Sequence, residues 1–255
     1  MIGALLASGF PFQTAVAHAI RQLAAWSIVT EEYPWRDESG TDQFLDIVAS
    51  YQQITATIEC KKTEGQILTF LIPGGGRDDR AKARVLFLSQ MQDSTHRFVM
   101  YCADWNIRPL SFESSFCVVS TSKSGKDQRL LERDAQVLIR GTDAFVQQRM
   151  RVKPETTTEP DRLYVPVLLT NAPLYLAKYD PGDVSLETGK FPMPPPAEIT
   201  PVPYVRFRKA FTSSARNDLG ARTIFIVTAL GLKSFMIDLA CVPSKPAADA
   251  KVQLS

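Results

Sequence analysis

The chain has 255 residues, 45% apolar and 22% charged, with a formal net charge of +2 at pH 7. That is the size and balance of one large globular domain that buries its own core and needs no disulfide or structural metal to fold. A charge this close to neutral does not by itself mark a nucleic-acid binder, although Lys and Arg clustered on one face can suffice. Cys60, Cys102, Cys117 and Cys241 are all more than ten residues apart, which excludes a C-x-x-C metal or redox pair and reads as reduced thiols in a cytosolic protein. Met1–Phe10 lacks the charged start and cleavage site of a signal peptide, and no apolar run approaches the roughly 20 residues of a membrane helix. The expectation is a soluble, cytoplasmic protein with no membrane association.

In chain order, residues 10–25 carry Phe12, Val16, Ile20 and Leu23 on one helical stripe, with Ser8 as N-cap and Pro11 in the first turn. Residues 26–32 read as a strand, followed by a loop around Pro34 and Gly40. Two compact strands come next, Phe44–Ala49 and the β-branched run Ile54–Lys61. So short a link between them, Ser50-Tyr51-Gln52-Gln53, implies an antiparallel hairpin. Gly74-Gly75-Gly76 marks a loop, residues 78–92 read as a helix, and residues 97–103 and 116–120 read as strands. Residues 127–149 have helical character. Eleven of the 17 prolines lie between Pro154 and Pro203. Within that stretch Leu163–Tyr179 still reads as strands, and Pro192–Pro203 as an extended loop. Tyr204–Phe211 and Thr223–Leu230 read as strands, residues 231–240 as a short helix, and residues from Ser244 onward as a frayed tail. The expected organisation is a single α/β domain over residues 1–243, with its core motif region at 10–120 and a C-terminal elaboration at 155–243 that adds strands to the same sheet. A flexible tail would occupy 244–255.

The hairpin carries the chemistry. Alternation along a strand puts Glu59 and Lys61 on one face and Cys60 on the other. If Gln52-Gln53 is the turn, Asp46 falls opposite Glu59, with Cβ atoms about 5 Å apart. Two carboxylates that close repel and raise one pKa unless a cation lies between them. Mg²⁺ suits the place, with oxygen ligands and several retained waters. A neighbouring lysine can orient or deprotonate a water and offset charge building on a phosphate, the elements of metal-assisted phosphodiester hydrolysis.

Phe44-Leu45-Asp46-Ile47-Val48 together with Glu59-Cys60-Lys61, twelve residues separating Asp46 from Glu59, resembles the PD-(D/E)xK superfamily of restriction-endonuclease-like nucleases. The E-x-K tripeptide alone says little, since composition predicts about one in a chain of this length; the paired Asp, the apolar strands and the preceding helix give it weight. The resemblance implies a mixed sheet flanked by helices. Asp46 and Glu59 would be ligands of Mg²⁺ or Mn²⁺, the Cys60 backbone carbonyl a further ligand, and Lys61 would serve the attacking water. Where such nucleases place an auxiliary acidic residue on the first helix, this chain offers Gln13. Gln66 stands five residues after Lys61 and is a second auxiliary candidate. The implied function is DNA cleavage, in defence or repair, by a homodimer or with a partner protein of a defence system. An RNA nuclease and a catalytically silent nucleic-acid-binding or assembly module of the same fold stand as alternatives.

Lys62 and Glu64 read as solvated charge, with phosphate contact the functional alternative for Lys62. Arg206, Arg208 and Lys209 alternate with Val205 and Phe207; they would line a nucleic-acid groove or form an ordinary solvated face. The same holds for Lys123, Lys126 and Arg129. His18 and His96 have no partner pattern. No Walker, G-x-G-x-x-G or G-x-S-x-G motif occurs.

Overall fold

The structure is a computed structural model that describes residues 8–74, 82–90, 98–120, 130–151, 161–192, 197–211 and 220–241. Helix α1 (Phe10–Arg21) begins at Gly9 rather than Ser8, with no side-chain cap, and carries Pro11 in its first turn. It buries Val16, Ala17 and Ile20, the stripe legible in the sequence. Strand β1 (Ser27–Arg36) is longer than expected and runs through Pro34. It lies at the end of the sheet, where a residue without an N–H costs no ladder bond.

Strands β2 (Asp42–Tyr51) and β3 (Ile54–Lys61) form the expected antiparallel hairpin, with Tyr51 opposite Ile54 and Ile47 opposite Ile58. Gln52 takes the left-handed conformation that a two-residue turn demands, at φ 48°. Next come β4 (Ile67–Pro73), β5 (Lys82–Gln90), β6 (Phe98–Asn106), β7 (Glu113–Ser114) and β8 (Cys117–Ser120). Helix α2 (Leu130–Arg151), β9 (Arg162–Thr170), β10 (Leu174–Tyr179), β11 (Glu198–Val202), β12 (Tyr204–Ala210), β13 (Ala221–Thr228) and helix α3 (Leu232–Leu239) complete the order.

The architecture is α/β. Among the described residues a nine-stranded mixed sheet runs β1-β2-β3-β9-β13-β12-β7, with the β5–β6 hairpin joined to the start of β9. β9 is parallel to both β3 and β13, while β12 and β13 are antiparallel. A second, four-stranded sheet runs β11-β10-β4-β8. One face of the main sheet packs on α1 and α3 through Ile20, Trp26, Phe235 and Met236; the other packs on α2 and the second sheet through Leu138, Ile139, Phe70 and Leu176. No helix among the described residues is long and apolar enough to cross a membrane.

Three expectations are corrected. Residues 82–90, read as part of a helix over 78–92, form β5; residues 78–81 and 91–92 lie outside the described residues. Val85, Leu86, Phe87 and Leu88 are buried consecutively, because the strand is covered on both faces and so shows no alternation. Part of the loop at 192–203 is β11, paired antiparallel with β10. The C-terminal strands do not all extend one sheet: β9, β12 and β13 do, but β10 and β11 join β4 and β8 in the second sheet. The tail from Ser244, His96 and the Lys123, Lys126 and Arg129 positions lie outside the described residues.

Candidate active site

The regular ladder of the hairpin stops at Ile47–Ile58, one position short of Asp46 and Glu59, and the reason is local. Leu45 belongs to the α2-side core whereas Ile47 belongs to the α1-side core. Residues two apart in a regular strand share a face, so β2 turns over at Asp46. The neighbouring strand turns over at the same level: the pairs Glu31–Ile47 and Tyr33–Leu45 bracket Glu32, which sits at φ 50°. Asp46 is thereby released from alternation. Its Oδ2 accepts the Cys60 N–H at 2.7 Å, a side chain standing in for a ladder carbonyl. From α1, the buried Gln13 donates its amide to the Asp46 carbonyl at 3.3 Å.

Beyond this point β3 keeps its alternation. Cys60 packs towards the α1-side core, and burial lifts its thiol pKa well above the usual range, as do the charges of Asp46 and Glu59. Glu59 and Lys61 face α2. The Lys61 ammonium lies 2.9 Å from Glu59 Oε1 and 3.7 Å from Asp134 Oδ1 on the first turn and a half of α2. Asp134 comes close because α2 is pressed onto the hairpin two turns further on. There a Cβ at Gly141 would stand 2.7 Å from Leu45 Cδ2, so only glycine allows the approach.

The electrostatics are those of crowded carboxylates. Burial and then the Asp46 charge push the Glu59 pKa up to about 7, against the opposing pull of Lys61. Asp46 is raised by burial, which outweighs the Cys60 N–H and Lys61, with a further upward push from Glu32. Burial works against the Lys61 charge, but Glu59 and Asp134 outweigh it and hold its pKa above the ordinary lysine value. Lys61 is therefore a fixed cation at neutral pH. Glu59 Oε2 is fully buried and accepts no hydrogen bond from the described residues.

That orphaned oxygen beside a second carboxylate fits a hard cation that takes oxygen ligands and keeps several waters. Among the described residues, no group of three or more His, Cys, Asp and Glu side chains is arranged as a metal cage. Asp46 and Glu59 are the two side chains that could hold such an ion, with the Cys60 carbonyl on the same strand.

The auxiliary candidates fall close by. Gln66 and Lys62 line a cavity of about 220 Å³ that also takes in Lys61 and Asp134. The basic run of β12 is elsewhere, and one member is corrected outright. Arg206 is fully buried, its guanidinium donating to the carbonyls of Lys82, Ile107 and Pro109, so it holds loops together and does not face a groove. Arg208 pairs with Asp104 and Glu113, and Lys209 with Glu132. β12 is separated from β3 by β9 and β13 in the sheet order, and Lys209 reaches the first turn of α2 through Glu132. Glu32 and Asp134 were not found by sequence reasoning. Glu32 was counted as the end of a strand, and Asp134 belongs to a helix whose placement depends on Gly141, a long-range contact.

No family model, curated protein or solved structure matches the chain.

Proposed function

We propose that the chain is a metal-dependent nuclease that hydrolyses phosphodiester bonds of DNA, built on a restriction-endonuclease-like fold. The observation that carries the reading is the turned-over strand at Asp46, which brings its carboxylate onto β3 beside a buried, half-orphaned Glu59 and the Lys61 ammonium. Asp46 and Glu59 would hold a Mg²⁺ or Mn²⁺ ion, which would supply Lewis acidity to the phosphate and to a bound water.

The chain's own residues divide the remaining work. Gln13 and the Cys60 N–H hold Asp46 in place. Lys61, kept protonated by Glu59 and Asp134, donates hydrogen bonds to the attacking water or to a non-bridging phosphate oxygen and offsets the charge that grows there. The raised pKa that Glu59 and Asp134 give it favours charge stabilisation and orientation of the water.

The test is incubation of purified protein with supercoiled plasmid in Mg²⁺ or Mn²⁺, beside an EDTA control and the variants Glu59→Ala and Lys61→Ala. Expected is metal-dependent nicking that falls about 10²- to 10³-fold or more in each variant while circular dichroism is unchanged. Wild-type rates in either variant would refute the site. A parallel panel of RNA substrates decides the nucleic acid.

A further inference from the structure

We propose that the cavity beside Lys61 is a subsite for a single unpaired nucleotide, so that the substrate is single-stranded, frayed or mismatched DNA at the scissile position. The inference rests on the nuclease reading for its chemistry, and on the following geometry for its ligand. The cavity measures about 220 Å³, below the roughly 300–1,000 Å³ of pockets for drug-sized ligands. It has room for one heterocyclic base and not for a base pair.

Its floor is apolar, made by Leu68 of β4, Val119 of β8, Leu131 of α2 and Leu168 of β9. Leu168 stands in register with Glu59 and Thr170 with Lys61, so the floor continues directly from the carboxylate site. Apolar side chains accept the faces of a base taken out of its stack.

The rim is polar and mostly cationic: Lys61, Lys62 and Arg133 stand against the single carboxylate of Asp134. That balance suits the phosphates on either side of a bound nucleotide. Gln66 and Asp134 offer amide and carboxylate groups to the hydrogen-bonding edge of the base.

The rim is also built rather than loose. Asn171 accepts from the Thr63 backbone N–H and hydroxyl and donates to the Thr63 carbonyl, which pins the segment between β3 and β4. A fully paired duplex cannot enter a pocket of this size without giving up one pair, and the unpairing cost of a few kcal/mol is least where the base is already unpaired.

The experiment places 2-aminopurine, or an abasic residue, at a single position in short DNA strands, offered single-stranded, mismatched in a duplex and fully paired. Binding is read in EDTA by anisotropy and by 2-aminopurine fluorescence, and cleavage is read in Mg²⁺. The proteins are wild type, Leu131→Trp, which fills the cavity, and the exposed Arg133→Glu, which does not touch the core. Expected are at least tenfold tighter binding of single-stranded or mismatched DNA than of paired DNA, and a fluorescence change confined to one position. Both variants should lose at least tenfold of that preference. Equal affinity for base-bearing and abasic strands, or full preference retained in Arg133→Glu, overturns the subsite. Cleavage without base dependence overturns it and leaves the nuclease reading standing. Base-dependent binding without cleavage does the reverse, and absence of both overturns the two together.

Discussion

Replacing Glu59 with glutamine should stabilise the metal-free protein at alkaline pH and lose that advantage when a divalent cation is supplied. Burial and the Asp46 charge raise the Glu59 pKa from 4.5 to about 7. A carboxyl whose folded pKa is raised favours the folded state only while protonated. Its contribution is complete below about 4.5 and is lost as pH rises through about 7. At 1.36 kcal/mol per pKa unit the ceiling is about 3 kcal/mol. Lys61 loses one of its two carboxylate partners in the variant, which lowers the expected net gain to about 1–3 kcal/mol. For a chain of this size that corresponds to roughly 2–12 °C in Tm. Mg²⁺ at a hundred times its Kd would add about 2.7 kcal/mol to the wild type and little to the variant, cancelling most or all of the variant's advantage. The assay is thermal melting of both proteins at pH 5 and pH 8.5, in EDTA and in Mg²⁺. A wild type more stable than the variant at pH 8.5 in EDTA would refute the account of Glu59 as a strained buried carboxylate. A gap that ignores pH would do the same, and no shift with Mg²⁺ would refute the cation site.

Cys60→Ser should leave cleavage unchanged and cost on the order of 1 kcal/mol, because the side chain packs into the α1-side core and only its backbone meets Asp46; loss of activity in a folded variant would show the faces are reversed. Arg206→Met should destabilise by about 3–5 kcal/mol in denaturant melts, since two buried carbonyls and a part-buried one lose their donor, and the surviving folded protein should bind DNA as wild type does. Gly141→Ala should cost about 1–3 kcal/mol by pushing α2 off Leu45, with a fall in activity as Asp134 is drawn away from Lys61; an unchanged melting curve would show that the helix can shift freely.

The sequence made the hairpin legible because the information is local. A two-residue turn fixes register, register fixes pairing, and pairing places Glu59, Cys60 and Lys61 on their faces. The two-residue turn places Ile47 opposite Ile58, but the ladder ends there and the expected pairing of Asp46 with Glu59 does not form: β2 turns over at Asp46, and no run of side-chain types announces a left-handed Glu32 on the adjacent strand. β5 was misread for a related reason. Alternation is visible only when one face meets water, and Val85–Leu88 meet protein on both. The basic stripe of β12 misled in the opposite direction. Alternating charge is an ordinary mark of a solvated face, but Arg206 turns inward to cap carbonyls that no nearby sequence identifies. Asp134 and the cavity floor draw on β4, β8, α2 and β9 at once, a meeting that exists only in the folded chain.

The arrangement around Lys61 is expensive for a structural hairpin. Glu59, Asp46 and Asp134 are all pushed towards their neutral forms by burial, and Lys61 answers them, with Arg133 reaching Asp134 alone from the exposed side. A Glu59 oxygen without a partner costs about 1–3 kcal/mol that an apolar or amide side chain would save. Stability alone gives no reason to turn two adjacent strands over at one level so that Asp46 can lean on β3. A site that must take up positive charge gives such a reason. Carboxylates that are destabilised while empty gain the most when a cation arrives, and the lysine that shares Glu59 retains Asp134 when Glu59 turns to the ion. On this argument Asp134 is what lets Glu59 change partners without stranding the Lys61 charge.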